Sequence, residues 1–170
     1  MNQSLKAAVY GLAVADALGV PYEFLTRGSF EAIEMVGYGS HQQPAGTWSD
    51  DTSLVLATCD SIREKGKIDP ADMQQRFKNW LFEGVYTPDG LTFDVGNATR
   101  EALTRGHGLS DEYSNGNGSL MRILPLAFTA AGPSDIEAVS SITHAHATSV
   151  EAYLDRKSTR LNSSHLELSR

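Results

Sequence analysis

Apolar residues fall at helical intervals along most of the chain. Near the start, Leu5, Ala8, Val9, Leu12 and Ala13 recur every three or four positions, with Ser4 or Asn2 as a cap and Gly19-Val20-Pro21 as a stop. That spacing predicts a buried helix ending near Asp16. Between Thr26 and Trp48 the glycines, Pro44 and a glutamine pair break every period, which predicts a long loop with one helical turn at most. The period returns at Asp51 and runs through Leu54, Val55, Thr58, Ile62 and Arg63 to Lys65-Gly66, where a terminal cation and a glycine mark a helix end. Asp69-Pro70 supplies an N-cap followed by proline at the first helical position. The stripe Met73, Phe77, Trp80, Leu81 then reaches Gly84.

Three further segments read as helical. "DVGNATREALTRG" predicts a helix beginning near Val95, and "NGSLMRILPLAFTAAG" another whose ladder Pro125 interrupts. Ser134-Asp135-Ile136-Glu137 has capping-box spacing and predicts a helix reaching about Thr143. No convincing strand pattern occurs, so the expected fold class is all-α, with residues 1–155 as one unit. The last stretch, "RKSTRLNSSHLELSR", carries no apolar face and looks like translated adaptor or vector sequence, so residues 156–170 are expected to be a non-native tail outside the fold.

Composition narrows the partners. At 170 residues and 41% hydrophobic, the chain has the size and apolar content of one domain. A net charge of −7 without any basic run excludes a nucleic-acid backbone as the main partner and leaves a phosphate-bearing small molecule open. Cys59 is the only cysteine, so no internal disulfide forms, and a reducing, cytoplasmic setting is expected. No apolar run approaches the roughly 18 residues of a membrane span, and no internal repeat is present.

Polar density concentrates in five short stretches. In "ADALGVPYEF", Asp16 reads as a helix-end carboxylate and Glu23 as a loop acid. Ser49-Asp50-Asp51-Thr52 precedes a helix that needs only one capping residue, so its second carboxylate is surplus. Adjacent like charges repel, and a divalent cation removes that repulsion; hard oxygens suit Mg²⁺, Mn²⁺ or Ca²⁺. Cap and cation site both remain open on these residues alone. Asp94 in "TFDVGNATREAL" reads as an N-cap or a further acid. "YSNGNGSLMR" places two glycines and two asparagines before an expected helix, which suits either a polar turn or a phosphate at a helix N-terminus. In "SITHAHATS", His144 and His146 are two apart and do not share a helical face, which argues against zinc.

Together "GLAVADALGVPYE", "SDDTSL", "DVGNATREAL", "GNGSLMR" and "ITHAH" resemble, in order and spacing, the ADP-ribosylglycohydrolase family, which includes dinitrogenase-reductase-activating glycohydrolase. The resemblance covers nearly all of residues 5 to 155. It implies an all-α fold whose cleft binds two divalent cations, Mg²⁺ or Mn²⁺, and a hydrolase that removes ADP-ribose from a modified protein side chain or a small acceptor. It places Ser49, Asp50 and Asp51 at the metals, and Glu23 at the metals and the reacting ribose. Asp94 falls at the substrate end as a second candidate catalytic acid. Ser114, Asn115, Gly116, Asn117 and Gly118 fall on the diphosphate loop, and His144 on the ADP-ribose pocket.

Family members run to about twice this useful length and carry a second acidic motif, Asp-x-Asp-Ser/Thr, which has no match here. The expectation is therefore an N-terminal half with a partial metal shell and weak or no turnover. Two other functions fit the same residues: a metal-dependent hydrolase of nucleotide phosphoanhydrides, and a non-catalytic ADP-ribose-binding protein.

Overall fold

A computed structural model describes residues 3–152 and residue 154. The expected tail, 156–170, lies outside the described residues. Among the described residues the frame is formed by α1 (Gln3–Gly19), α2 (Asp50–Lys65), α3 (Pro70–Glu83), α4 (Asn97–Arg105) and α5 (Pro133–Ser140), with a further helical stretch from 147. Short 3-10 turns at Val20–Tyr22, Glu112–Ser114 and Leu124–Phe128 punctuate the connections. Among the described residues the only β pairing is an isolated bridge between Leu109 and His144, so the class is all-α.

The helix ends follow their sequence signals. Asp69 caps α3 by accepting from Asp72 N–H at 3.1 Å, and Pro70 stands in the first turn. Gly84 ends α3 in the left-handed region at φ 69°, and a side chain there would meet the Gly90 backbone. At α5 the expected box is shifted. Gly132 is the cap, its N–H donating to Asp135 Oδ2 at 2.8 Å, and Pro133 fixes the first turn.

α3 lies at the centre of the core. Its Met73, Phe77, Trp80 and Leu81 pack with Leu54 and Ala57 of α2, Leu103 of α4, Leu126, and Ile136 and Val139 of α5. Fully burying side chains of this size stabilises by roughly 1.5–3 kcal/mol each, so this cluster is what holds the helices in register.

Three expectations need correction. α1 runs on to Gly19, and only Ala17 on it is buried, with Tyr10 and Val14 exposed. Its contacts among the described residues come chiefly from α2, Val20–Tyr22 and Leu124–Phe128, which cover part of its surface. The helix after "DVG" starts at Asn97, with Gly96 as its cap, so Asp94 is not a capping residue. The segment 115–123 forms turns, with the 3-10 stretch Leu124–Phe128 in place of the expected α-helix. Two nearby glycines and Pro125 leave too short a run to nucleate one.

Candidate active site

The open end of α2 organises the acidic side. Asp16, one turn before the end of α1, accepts from Ser49 N–H at 3.0 Å, Ser49 Oγ at 2.8 Å, Thr52 N–H at 3.1 Å and Thr52 Oγ1 at 2.6 Å. Ser49 Oγ in turn accepts from Asp51 N–H at 3.3 Å. The orphan amides of the first turn are thus shared between Ser49 and a carboxylate from another helix. Capping duty falls on Ser49 and Asp16, and Asp50 and Asp51 are left to line a cleft.

That cleft has a volume of ≈ 670 Å³. Glu23, Ser49, Asp50, Asp51 and Asp94 line it together with Gly116, Asn117, Gly118 and His144; the acids act on one another's charge, while Gly116 and Gly118 lie against the His144 ring. The structure therefore brings most of the sequence-selected residues to one place. It does not bring Ser114 or Asn115 there. Ser114 is buried with its hydroxyl donating to Asp111 Oδ2 at 2.7 Å, and Asn115 is exposed and outside the lining.

Asp94 arrives by backbone strain. It sits at φ 52°, a left-handed conformation that aspartate tolerates better than most residues. Thr92 steadies this turn by donating to Trp80 O at 2.7 Å.

His41, from the long loop, was not singled out in the sequence. Its Nε2 lies 2.5 Å from Glu23 Oε2 and 3.7 Å from Asp94 Oδ1, with its ring between Phe24 and Phe93. Ligand atoms of Glu23, His41 and Asp94 all fall within 4.8 Å of one another, close enough to hold a metal ion. The available signal was positional: a histidine in a long ordered loop, where functional residues concentrate.

Electrostatics set the two parts of the cleft apart. Burial, then the charges of Asp51, Asp94, Asp16 and Glu23, push the Asp50 carboxyl up to about 8. Asp51 rises to about 6 through burial and then the charges of Asp16 and Asp94. Asp94 also rises to about 6, through burial and then Glu23, with His41 opposing. At the other part, His144 falls to about 4, first from burial and then from Arg122, so its ring is neutral near pH 7. His144 Nδ1 pairs with Thr143 Oγ1 at 2.8 Å, a contact that orients the ring.

Known proteins share this architecture. The chain is 40% identical over 129 residues to the ADP-ribosylarginine hydrolase Tri1 of Pseudomonas putida (strain GB-1), covering 72% of this chain and 35% of that protein. It is 36% identical over 163 residues to the ADP-ribosyl-[dinitrogen reductase] glycohydrolase of Rhodospirillum rubrum, covering 86% of this chain and 53% of that one. A solved structure of an ADP-ribosylglycohydrolase-related protein complex superposes with a TM-score of 0.70 at 36% identity, over 86% of this chain and 50% of the other. The chain thus spans from about a third to about half the length of these relatives. The family model for ADP-ribosylglycohydrolase matches residues 2–154, more than the whole described core, and the chain belongs to that family.

Proposed function

We propose that the cleft serves hydrolysis of the glycosidic bond between ADP-ribose and an acceptor, with an arginine side chain of a modified protein as the first acceptor to test. The observation that carries this reading is the division of one cleft into a carboxylate part and a glycine-loop part that includes a neutral histidine. A substrate with a reacting sugar at one end and a diphosphate at the other matches that division. The names of the relatives support the same bond and the arginine acceptor.

Ser49, Asp50, Asp51 and Glu23 would hold Mg²⁺ or Mn²⁺, two ions in the full family site. Mutual repulsion among buried, oxygen-rich groups is the chemistry a hard dication relieves. When bound, such ions supply orientation of the ribose hydroxyls and a more acidic water. The chain's own residues do the rest. Cleavage at the anomeric carbon develops oxocarbenium character, which nearby carboxylates stabilise. Glu23 or Asp94 carries the proton between the attacking water and the leaving group. His41 fixes the Glu23 carboxylate, and the Gly116–Gly118 loop with His144 receives the diphosphate.

Glu23→Gln and Asp94→Asn, assayed with an ADP-ribosylarginine substrate, test the assignment. Turnover should fall by roughly a hundredfold or more in the variant that removes the proton carrier, and the product should be intact ADP-ribose. Unchanged rates in both variants remove these carboxylates from the mechanism. Release of AMP would point to phosphoanhydride hydrolysis, and saturable binding without product to a non-catalytic protein.

A further inference from the structure

The fold buries one arginine whole. Arg122 has no exposed surface, and a guanidinium out of water is tolerable only where acceptors surround it. Its Nη1 donates to Gly118 O at 2.9 Å, and its Nη2 to Val139 O at 3.0 Å and Ser140 O at 3.5 Å. The guanidinium carbon lies 4.9 Å from the centroid of the Phe77 ring. Val139 and Ser140 are the last residues of α5, at the helix end that carries partial negative charge. Gly118 belongs to the cleft loop. One planar fork therefore joins the loop to a helix end.

His144 hangs from that same helix end. Its N–H donates to Ser140 O at 3.0 Å, and Ser140 Oγ donates to His144 O at 3.2 Å. The ring also lies against the loop: a Cβ on Gly118 would stand 2.5 Å from His144 Cε1 and 3.1 Å from Thr99 Oγ1. Loop and ring interlock, and Arg122 bonds to both anchors without lining the cleft itself.

We infer that Arg122 is a positioning residue, which locks Gly118 and His144 into one wall and gives that wall the fixed positive charge that selects the phosphate-bearing part of the ligand. The ligand half of this inference rests on the ADP-ribose reading above. Without bound cations the carboxylates of the cleft repel a diphosphate, so a fixed positive charge beside the Gly118 loop favours the phosphate-bearing part there. Arginine keeps its charge throughout the ordinary pH range. The ring of His144, held neutral beside it, offers a hydrogen bond and no second charge.

Two variants separate fork from charge. Arg122→Lys keeps the charge and loses the two-point fork; Arg122→Met removes the charge and keeps much of the length. Nuclear magnetic resonance follows the His144 titration and the Gly118 and His144 amides without ligand. Calorimetry measures ADP-ribose, inorganic pyrophosphate and adenosine.

For Arg122→Met, the His144 pKa should rise, because the charge that helps hold it down is gone. ADP-ribose and pyrophosphate should bind about tenfold more weakly, while adenosine stays within about twofold. For Arg122→Lys, the Gly118 and His144 amides should shift together, with the His144 titration unmoved. Unchanged ADP-ribose affinity in folded Arg122→Met overturns the inference, as does an equal loss for adenosine, which marks a merely structural role. If Arg122→Met fails to fold, the amide shifts in Arg122→Lys decide, and a change confined to one of the two residues overturns the shared wall. If the unaltered protein binds neither ADP-ribose nor pyrophosphate, the glycohydrolase reading falls together with the ligand clause, and the amide shifts still judge the wall.

Discussion

Without divalent cations, this protein should lose stability as pH rises, and Asp50 should be the main reason. Its carboxyl titrates near 8 in the fold against 3.8 for an ordinary aspartate. Between those values the folded state holds a proton that the unfolded chain has released. The slope of unfolding free energy with pH is then negative. The penalty is absent below the unfolded pKa, grows through the neutral range, and is complete above about pH 8. One bound proton corresponds to about 1.4 kcal/mol per pH unit. From about pH 5.5 to about pH 8.5 Asp50 alone should remove roughly 3 kcal/mol, allowing for saturation near its own pKa. Asp51, raised to about 6, adds to the fall at the acidic end of that window.

A loss of this size is a large share of the 5–15 kcal/mol typical of a domain, so urea unfolding in a chelator at the two pH values will resolve it. The unfolding slope with urea should stay constant while the midpoint drops. Two controls sharpen the sign. Asp50→Asn, which cannot ionise, should be the more stable protein near pH 8.5 and should flatten the pH dependence. Mg²⁺ or Mn²⁺ at millimolar concentration should restore stability to the unaltered protein at that pH, by mass action on the folded state. A metal-free protein as stable at pH 8.5 as at pH 5.5, or an Asp50→Asn variant less stable at the higher pH, refutes the reasoning.

Two smaller tests address the parts that hold the cleft. Asp16→Ala strips the acceptor from Ser49 and Thr52 at the start of α2 and should cost about 2–4 kcal/mol, since hydrogen bonds to a charged group contribute roughly 1.5–3 kcal/mol each and do not add fully; urea unfolding near pH 6, where relief of repulsion at Asp50 is small, measures it. Gly118→Ala forces the His144 ring or the loop to move, so about 1–3 kcal/mol of overpacking should appear in thermal unfolding, together with weakened ADP-ribose binding; full affinity would mean that ring and loop are not coupled.

The sequence yields α3 and the start of α2 because their signals are local. Ser49 and Asp69 cap within their own helices, and Pro70 and Gly84 punctuate the same element. It misleads where distant partners decide. The apolar α1 reads as buried, yet burial depends on what packs against it, and Tyr10 and Val14 stay exposed among the described residues. The segment through Ser119 to Phe128 has a helical apolar pattern, but Gly116, Gly118 and Pro125 leave too short a run for an α-helix, and its backbone forms turns. At the cleft, the acids are legible from their density. His41 and the capping role of Asp16 are not, because Asp16 reaches its partners across 33 to 36 residues of chain, and His41 reaches Glu23 across 18. At Ser49-Asp50-Asp51-Thr52 capping and the lining of the cleft are compatible duties. Asp16 supplies a second cap from outside, and only then are two carboxylates spare.

That arrangement leaves the question of what keeps the two parts of the cleft in register, since no residue of α3 lines it. Two contacts answer it. Trp80 O accepts from Thr92 Oγ1, two residues before the strained Asp94, and the Phe77 ring underlies the Arg122 guanidinium behind Gly118 and His144. Trp80 and Phe77 are neighbours on the buried stripe of one helix, one turn apart in its core. The carboxylates and the Gly118–His144 wall are therefore both referred to α3, whose apolar stripe is central to the core. A close-packed core transmits displacement with little give, so the distance between the parts is set by hydrophobic packing and not by contacts across the cleft. The mutual repulsion at Asp50 and Asp51 can then persist in the folded state, because the residues that would relax it by moving apart are fixed to a frame that gains nothing from their movement.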